Sequence, residues 1–169
     1  MRHRLLTLLV LLGVLGVWSR VVLPDTARAA TTIIVNTDDD SVLPLADGFC
    51  SLREAITNAN DNAAIFADCP AGSGADTIIL NDPFGEILLN DDLPTITDDL
   101  VIEGATPFYH QIDGDNFYRP FTITAGVSVT ISQIIVKYSA GDFGGAVNNA
   151  GDLTLTSVIF EYNEADYGA

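Results

Sequence analysis

The chain has 169 residues, enough for one domain, and 48% of them are hydrophobic, which argues against a disordered chain. Lys and Arg total 7 against 23 Asp and Glu, for a net charge of −16, and Arg2, Arg4, Arg20 and Arg28 all fall before position 30. So acidic a remainder repels a nucleic-acid backbone and an anionic membrane surface alike, and neither is expected as a partner.

The chain opens with Arg2, His3 and Arg4, continues through an unbroken apolar stretch over 5–17, and reaches Ala27-Arg28-Ala29. Positive start, short apolar core and small residues at the A-x-A positions predict a signal peptide over 1–29, cleaved before Ala30. A membrane anchor would need about 20 apolar residues, and Arg20 arrives too soon. No later stretch is apolar enough to span a bilayer. The expectation is a protein that is secreted or held at the cell surface or outer membrane, with no transmembrane segment after cleavage.

Export gives the two cysteines meaning. In an oxidising compartment Cys50 and Cys69 are expected to pair as a structural disulfide, with two free thiols as the alternative. A zinc site lacks ligands, because His110 is the only histidine after the leader and no CxxC pair occurs.

Between the cysteines lies the one predicted helix. Ser51 and Glu54 have capping-box spacing, and Leu52, Ala55, Ile56 and Ala59 recur on one helical face. Asn58, Asn60, Asp61 and Asn62 weaken the helix and end it. A helix this short is marginal alone, so its apolar stripe must lie on something.

That something is β. Runs rich in Val, Ile, Thr and Leu predict strands over 77–80, 86–89, 100–103, 121–124 and 127–132, with turn residues between them. In the last, Val127, Val129 and Ile131 alternate with Ser128, Thr130 and Ser132, which gives one buried and one wet face.

Residues 129–145 then repeat as 153–169: Thr130 falls on Thr154, Ile135 on Ile159, Tyr138 on Tyr162, Asp142 on Asp166 and Gly144 on Gly168. A repeat of this length made of strands and turns marks a solenoid. Coils stacked about 4.8 Å apart would place Val129 over Leu153, Ile131 over Leu155 and Val136 over Phe160. The predicted fold is therefore all-β, a parallel β-helix with coils of about 24 residues and an N-terminal capping helix. Its parts are the leader over 1–29, a cap segment over 30–76 and coils over 77–169. No second capping helix follows, so the coils are expected to continue beyond Ala169.

Cys50-Ser51-Leu52-Arg53-Glu54-Ala55-Ile56, followed by Asn58-Ala59-Asn60, resembles the CSLREA motif near the N-terminus of secreted and surface bacterial proteins with right-handed parallel β-helices. Leu93-Pro94-Thr95-Ile96-Thr97 with Val101-Ile102-Glu103-Gly104 is similar to the first coil that follows that motif. Gly144-Gly145-Ala146-Val147 and Phe160-Glu161-Tyr162-Asn163 resemble the GGA-(I/L/V) and FxxN repeats of polymorphic outer-membrane proteins. The preceding coil carries Val136-Lys137-Tyr138-Ser139 at the FxxN place. The resemblance covers the chain from about Thr31 onward and implies an exported right-handed β-helix. In that reading the helix covers the first coil, Gly144 and Gly145 turn a corner, and Asn148, Asn149 and Asn163 are candidates for ladders between coils.

The acidic runs bear on chemistry. Asp38-Asp39-Asp40, Asp91-Asp92 and Asp98-Asp99 are dense enough for calcium, yet no DxDxDG loop is present, and solvated turn carboxylates are the expected reading. No metal, cofactor or catalytic residue is assigned. His110 is read as a surface loop residue, and Phe108, Tyr109, Phe117 and Tyr118 as an inserted loop that packs on the coils or stacks on sugars. Two function classes follow. The first is a noncatalytic, adhesin-like or envelope-structural β-helix that binds glycans or proteins. The second is a polysaccharide lyase or glycoside hydrolase on the same scaffold, and fold alone does not choose between them.

Overall fold

The structure is a computed structural model and describes residues 29–41, 46–81, 85–107 and 109–167. The apolar core of the predicted leader, Phe108 and the final Gly168 and Ala169 lie outside them. Strand β1 (Thr32–Val35) precedes helix α1 (Leu52–Asp61). The first coil holds β2 (Asp76–Leu80) and β3 (Glu86–Leu88), and the second holds β4 (Leu100–Gly104), β5 (His110–Asp113) and β6 (Phe121–Ile123). The third runs through β7 (Ser128–Ser132), β8 (Ile134–Lys137), β9 (Ala140–Phe143) and β10 (Val147–Asn149), and the fourth through β11 (Asp152–Thr156), β12 (Ile159–Glu161) and β13 (Glu164–Tyr167).

Every pairing between these strands is parallel and joins one coil to the next, in the orders β1-β2-β4-β7-β11, β3-β5-β8-β12, β6-β10 and β9-β13. The result is the predicted all-β parallel β-helix, of about 4 turns with coils of about 24 residues. The repeat reads the register correctly: Val129 pairs with Leu153, Ile131 with Leu155 and Val136 with Phe160. Inside, Ile33, Ile78, Ile102 and Ile131 form one apolar column across four strands, each at most 1% exposed. No single coil could shield such a column, so the stack folds as a unit.

The corners between strands use single left-handed residues. Gln133 and Ser157 bend β7 into β8 and β11 into β12, while Tyr138 and Tyr162 bend β8 into β9 and β12 into β13, all with φ between 48° and 56°. A left-handed non-glycine residue costs roughly 1–2 kcal/mol, and at the tyrosine corner the cost is offset by stacking. The two rings lie 5.3 Å apart and 9° from parallel, a geometry worth about 0.5–1.5 kcal/mol.

Helix α1 closes the first coil as predicted. Ser51 N–H donates to Glu54 Oε2 at 3.0 Å and Glu54 N–H donates back to Ser51 Oγ at 3.3 Å, completing the capping box. Leu52, Ala55, Ile56 and Ala59 are buried against β1 and β2. Cys50 and Cys69 form the disulfide that ties the helix entry to the loop beyond it. Two expectations need correction. Part of the supposed inserted loop is strand β5, and His110 begins it as a buried residue, not a surface one. Ile112 is the sole aliphatic side chain of β5, so alternation is silent there; Ile87 and Val136 on the adjacent coils fix its place in the wall.

Candidate functional site

The acidic runs mostly serve the backbone. Asp40, 1% exposed, holds Arg53 in a two-pronged ion pair, Nε to Oδ1 at 2.9 Å and Nη2 to Oδ2 at 2.7 Å. Arg53 also donates to the carbonyls of Asp91 and Asp92, so one guanidinium fastens the cap to the end of the first coil. Asp92 Oδ1 accepts from Arg119 N–H and Asp99 Oδ1 from Ser128 N–H, each bridging successive coils. These carboxylates are acceptors built into turns rather than simply solvated groups. Among the described residues, no group of three or more His, Cys, Asp or Glu is placed to hold a metal ion.

The motif asparagines do similar work. Asn58, fully buried, shares its carboxamide N–H groups among the carbonyls of Phe66, Cys69 and Pro70 and accepts from Phe66 N–H. Asn60 donates to Thr95 O and accepts from Thr97 N–H, while Asn62 donates to Asp98. The helix motif therefore grips the Leu93–Thr97 motif directly, a contact that sequence spacing does not reveal. Of the three proposed ladder residues, Asn163 bonds the neighbouring coil, through Ser139 N–H and Val136 O. Asn149 instead closes its own turn onto Gly151, and Asn148 is exposed. A turn that can satisfy its amides locally leaves nothing for a neighbour to bind.

The lateral wall differs from the cap in what it shows to water. At one corner Tyr138 and Tyr162 stack, and at another Phe143 and Tyr167 stack at 5.2 Å; Phe143, Tyr162 and Tyr167 are each at least 60% exposed. Lys137 sits 3.1 Å from Glu86 and 3.6 Å from Asp113, with its ammonium 5.7 Å from the Tyr138 ring centre. Burial alone would lower its pKa, but the hydrogen bond and charge of Glu86, with the charge of Asp113, hold it above the ordinary 10.5.

Beside these rows, the predicted aromatic loop divides. Tyr118 packs against the core, whereas Phe117 is 72% exposed and Tyr109 44%. Phe117 lines a groove of about 340 Å3 together with Asn116, Ala140, Gly141, Asp142, Glu164 and Asp166. Asp142 and Asp166 occupy equivalent places in successive coils, since β9 and β13 pair Gly141 with Ala165 and Phe143 with Tyr167. Among the described residues, no Lys or Arg is in the lining of this groove itself. Arg119 is half-buried, its Nε donating to Gly144 O at 2.8 Å. A side chain at Gly141 would meet that guanidinium and displace it.

A second, apolar concavity of about 510 Å3 is the cross-section of the fourth coil, where Leu155 and Phe160 are more than 40% exposed. No protein-family profile, curated protein or solved structure matches the chain.

Proposed function

We propose that this chain is an exported, noncatalytic β-helix of the CSLREA kind, an adhesin-like or envelope-structural protein whose lateral wall binds glycans or proteins at the cell surface. The observation that carries this reading is the set of aromatic rings held open to water on a rigid wall. Scattered apolar side chains are normal on a surface, but rings grouped along one wall mark a contact surface. The disulfide and the leader pattern support an oxidising destination. The test is to express the full chain in a Gram-negative host, sequence the N-terminus of the exported protein and measure its binding to intact cells. Mature protein beginning at Ala30 that binds cells saturably is expected; retention of the whole chain inside the cell would overturn the proposal.

A second reading, a polysaccharide lyase or glycoside hydrolase, is favoured by one observation: Asp142, Glu164 and Asp166 face one groove. Against it, all three are exposed, and burial is a main device that tunes a carboxylic acid for proton transfer. Release of reducing ends or unsaturated sugars from polysaccharides would establish this reading in place of the first.

A further inference from the structure

The groove beside Phe117 combines four features that are independent in the sequence. It is a concavity of about 340 Å3 on the lateral wall. Its lining includes a ring 72% exposed, with Tyr118 as its aromatic neighbour at 6.2 Å and a tilt of 55°, so the Phe117 faces are not covered by a parallel stacking partner. The turn presenting that ring holds Asp115 and Asn116 at φ 51° and 62°, two consecutive left-handed residues. It is anchored from below, because Asn116 N–H donates to Tyr138 O at 2.6 Å and both Phe117 N–H and Tyr118 N–H donate to Gly114 O. The wall, finally, offers one carboxamide and three carboxylates, with the Arg119 guanidinium packed against Gly141 and held by Gly144 O.

We infer that this groove is a binding site for a neutral linear oligosaccharide, with Phe117 as the stacking platform and Asn116, Asp142, Glu164 and Asp166 as partners of the sugar hydroxyls. This rests on the surface-binding reading above and names the ligand class and the residues. An apolar pyranose face lies flat on an aromatic ring, while the hydroxyls at its rim donate charge-assisted hydrogen bonds to carboxylates. An anchored turn keeps the ring from folding onto the wall, so little ordering cost remains at binding. The coil repeat sets Asp142 and Asp166 about 4.8 Å apart, which suits hydroxyls along a chain rather than a single compact ligand. Three exposed carboxylates outweigh the single Arg119 guanidinium, which is already bonded to Gly144 O, and so disfavour uronic-acid and sulfated chains by charge.

The test uses the purified, oxidised full chain in titration calorimetry and amide chemical-shift mapping against short neutral gluco-, galacto- and manno-oligosaccharides, with oligouronates as comparison. At least one neutral series is expected to bind, moving the amides of residues 116–117, 140–142 and 164–166, while oligouronates do not. Phe117→Ala should weaken binding about five- to tenfold without changing the thermal midpoint, and Tyr109→Ala, on a ring outside the groove, should leave it unchanged. Asp142→Asn with Asp166→Asn should admit oligouronates. Failure of every neutral series, shifts confined to other coils, or full affinity in Phe117→Ala would overturn the assignment. If exported protein adheres to cells while the groove binds no sugar, the glycan is lost and the surface-binding reading stands. If the protein is not exported, calorimetry still decides the groove.

Discussion

Asn58 is where a single residue of the cap motif has most to lose. At zero exposure its carboxamide faces three carbonyls and one backbone N–H of the loop that follows the helix. Asn58→Asp preserves the shape, removes every donor and sets a carboxylate against those carbonyls. Leaving buried acceptors unpaired costs about 1–3 kcal/mol and an unpaired buried charge about 3–5. We therefore expect Asn58→Asp to lower unfolding stability by at least about 3 kcal/mol and more than Asn58→Ala does, as read by urea denaturation of the oxidised protein. Equal, small losses in both variants would mean that the loop finds its bonds elsewhere.

At the scale of elements, the cap consists of a short helix, a disulfide and a set of side chains that reach the first coil. A helix of 10 residues is not stable by propensity, and its burial on β1 and β2 depends on how the loop over 62–75 is held. The Cys50–Cys69 bridge closes a loop of 19 residues within that region. Replacing both cysteines with alanine should cost about 3 kcal/mol by the chain-entropy estimate. Because the bonds from Asn60 to Thr95 and Thr97 remain, the cap should loosen while the outer coils persist. Hydrogen exchange checks this: faster exchange is expected over residues 52–66 and unchanged protection over β7 and β8. Uniform loss of protection in every coil would show that the cap and the stack unfold as one.

Across the whole molecule, stability is spread as in a one-dimensional stack, where each coil is held by its two neighbours. Ile102 lies fully buried between β2 and β7, whereas Leu155 in the fourth coil is 44% exposed on the same column. Ile102→Ala is thus expected to destabilise by about 2–5 kcal/mol and Leu155→Ala by less than about 1. Comparable losses at both positions, measured by denaturant midpoint, would contradict a gradient along the axis. The same axial order explains the wall: what stacks inside as isoleucine over isoleucine stacks outside as Tyr138 over Tyr162 and Phe143 over Tyr167.

Read alone, the amino-acid order determined the features that depend on neighbours in sequence or on strict repetition. The capping box needs only Ser51 and Glu54 three residues apart, and the register of the last two coils follows from one repeat because parallel coils place equivalent residues on each other. Strand β5 was illegible, since one aliphatic residue carries no alternation and only the coils on either side hold it in the wall. The carbonyls that Arg53, Asn58 and Asn60 bond were equally hidden, because they are backbone atoms whose identity leaves no mark in the sequence. The groove, too, belongs to tertiary structure. Phe117 comes from one coil and Asp142 and Asp166 from the next two, and only winding the chain about a common axis sets a ring and carboxylates that are distant in sequence on one wall.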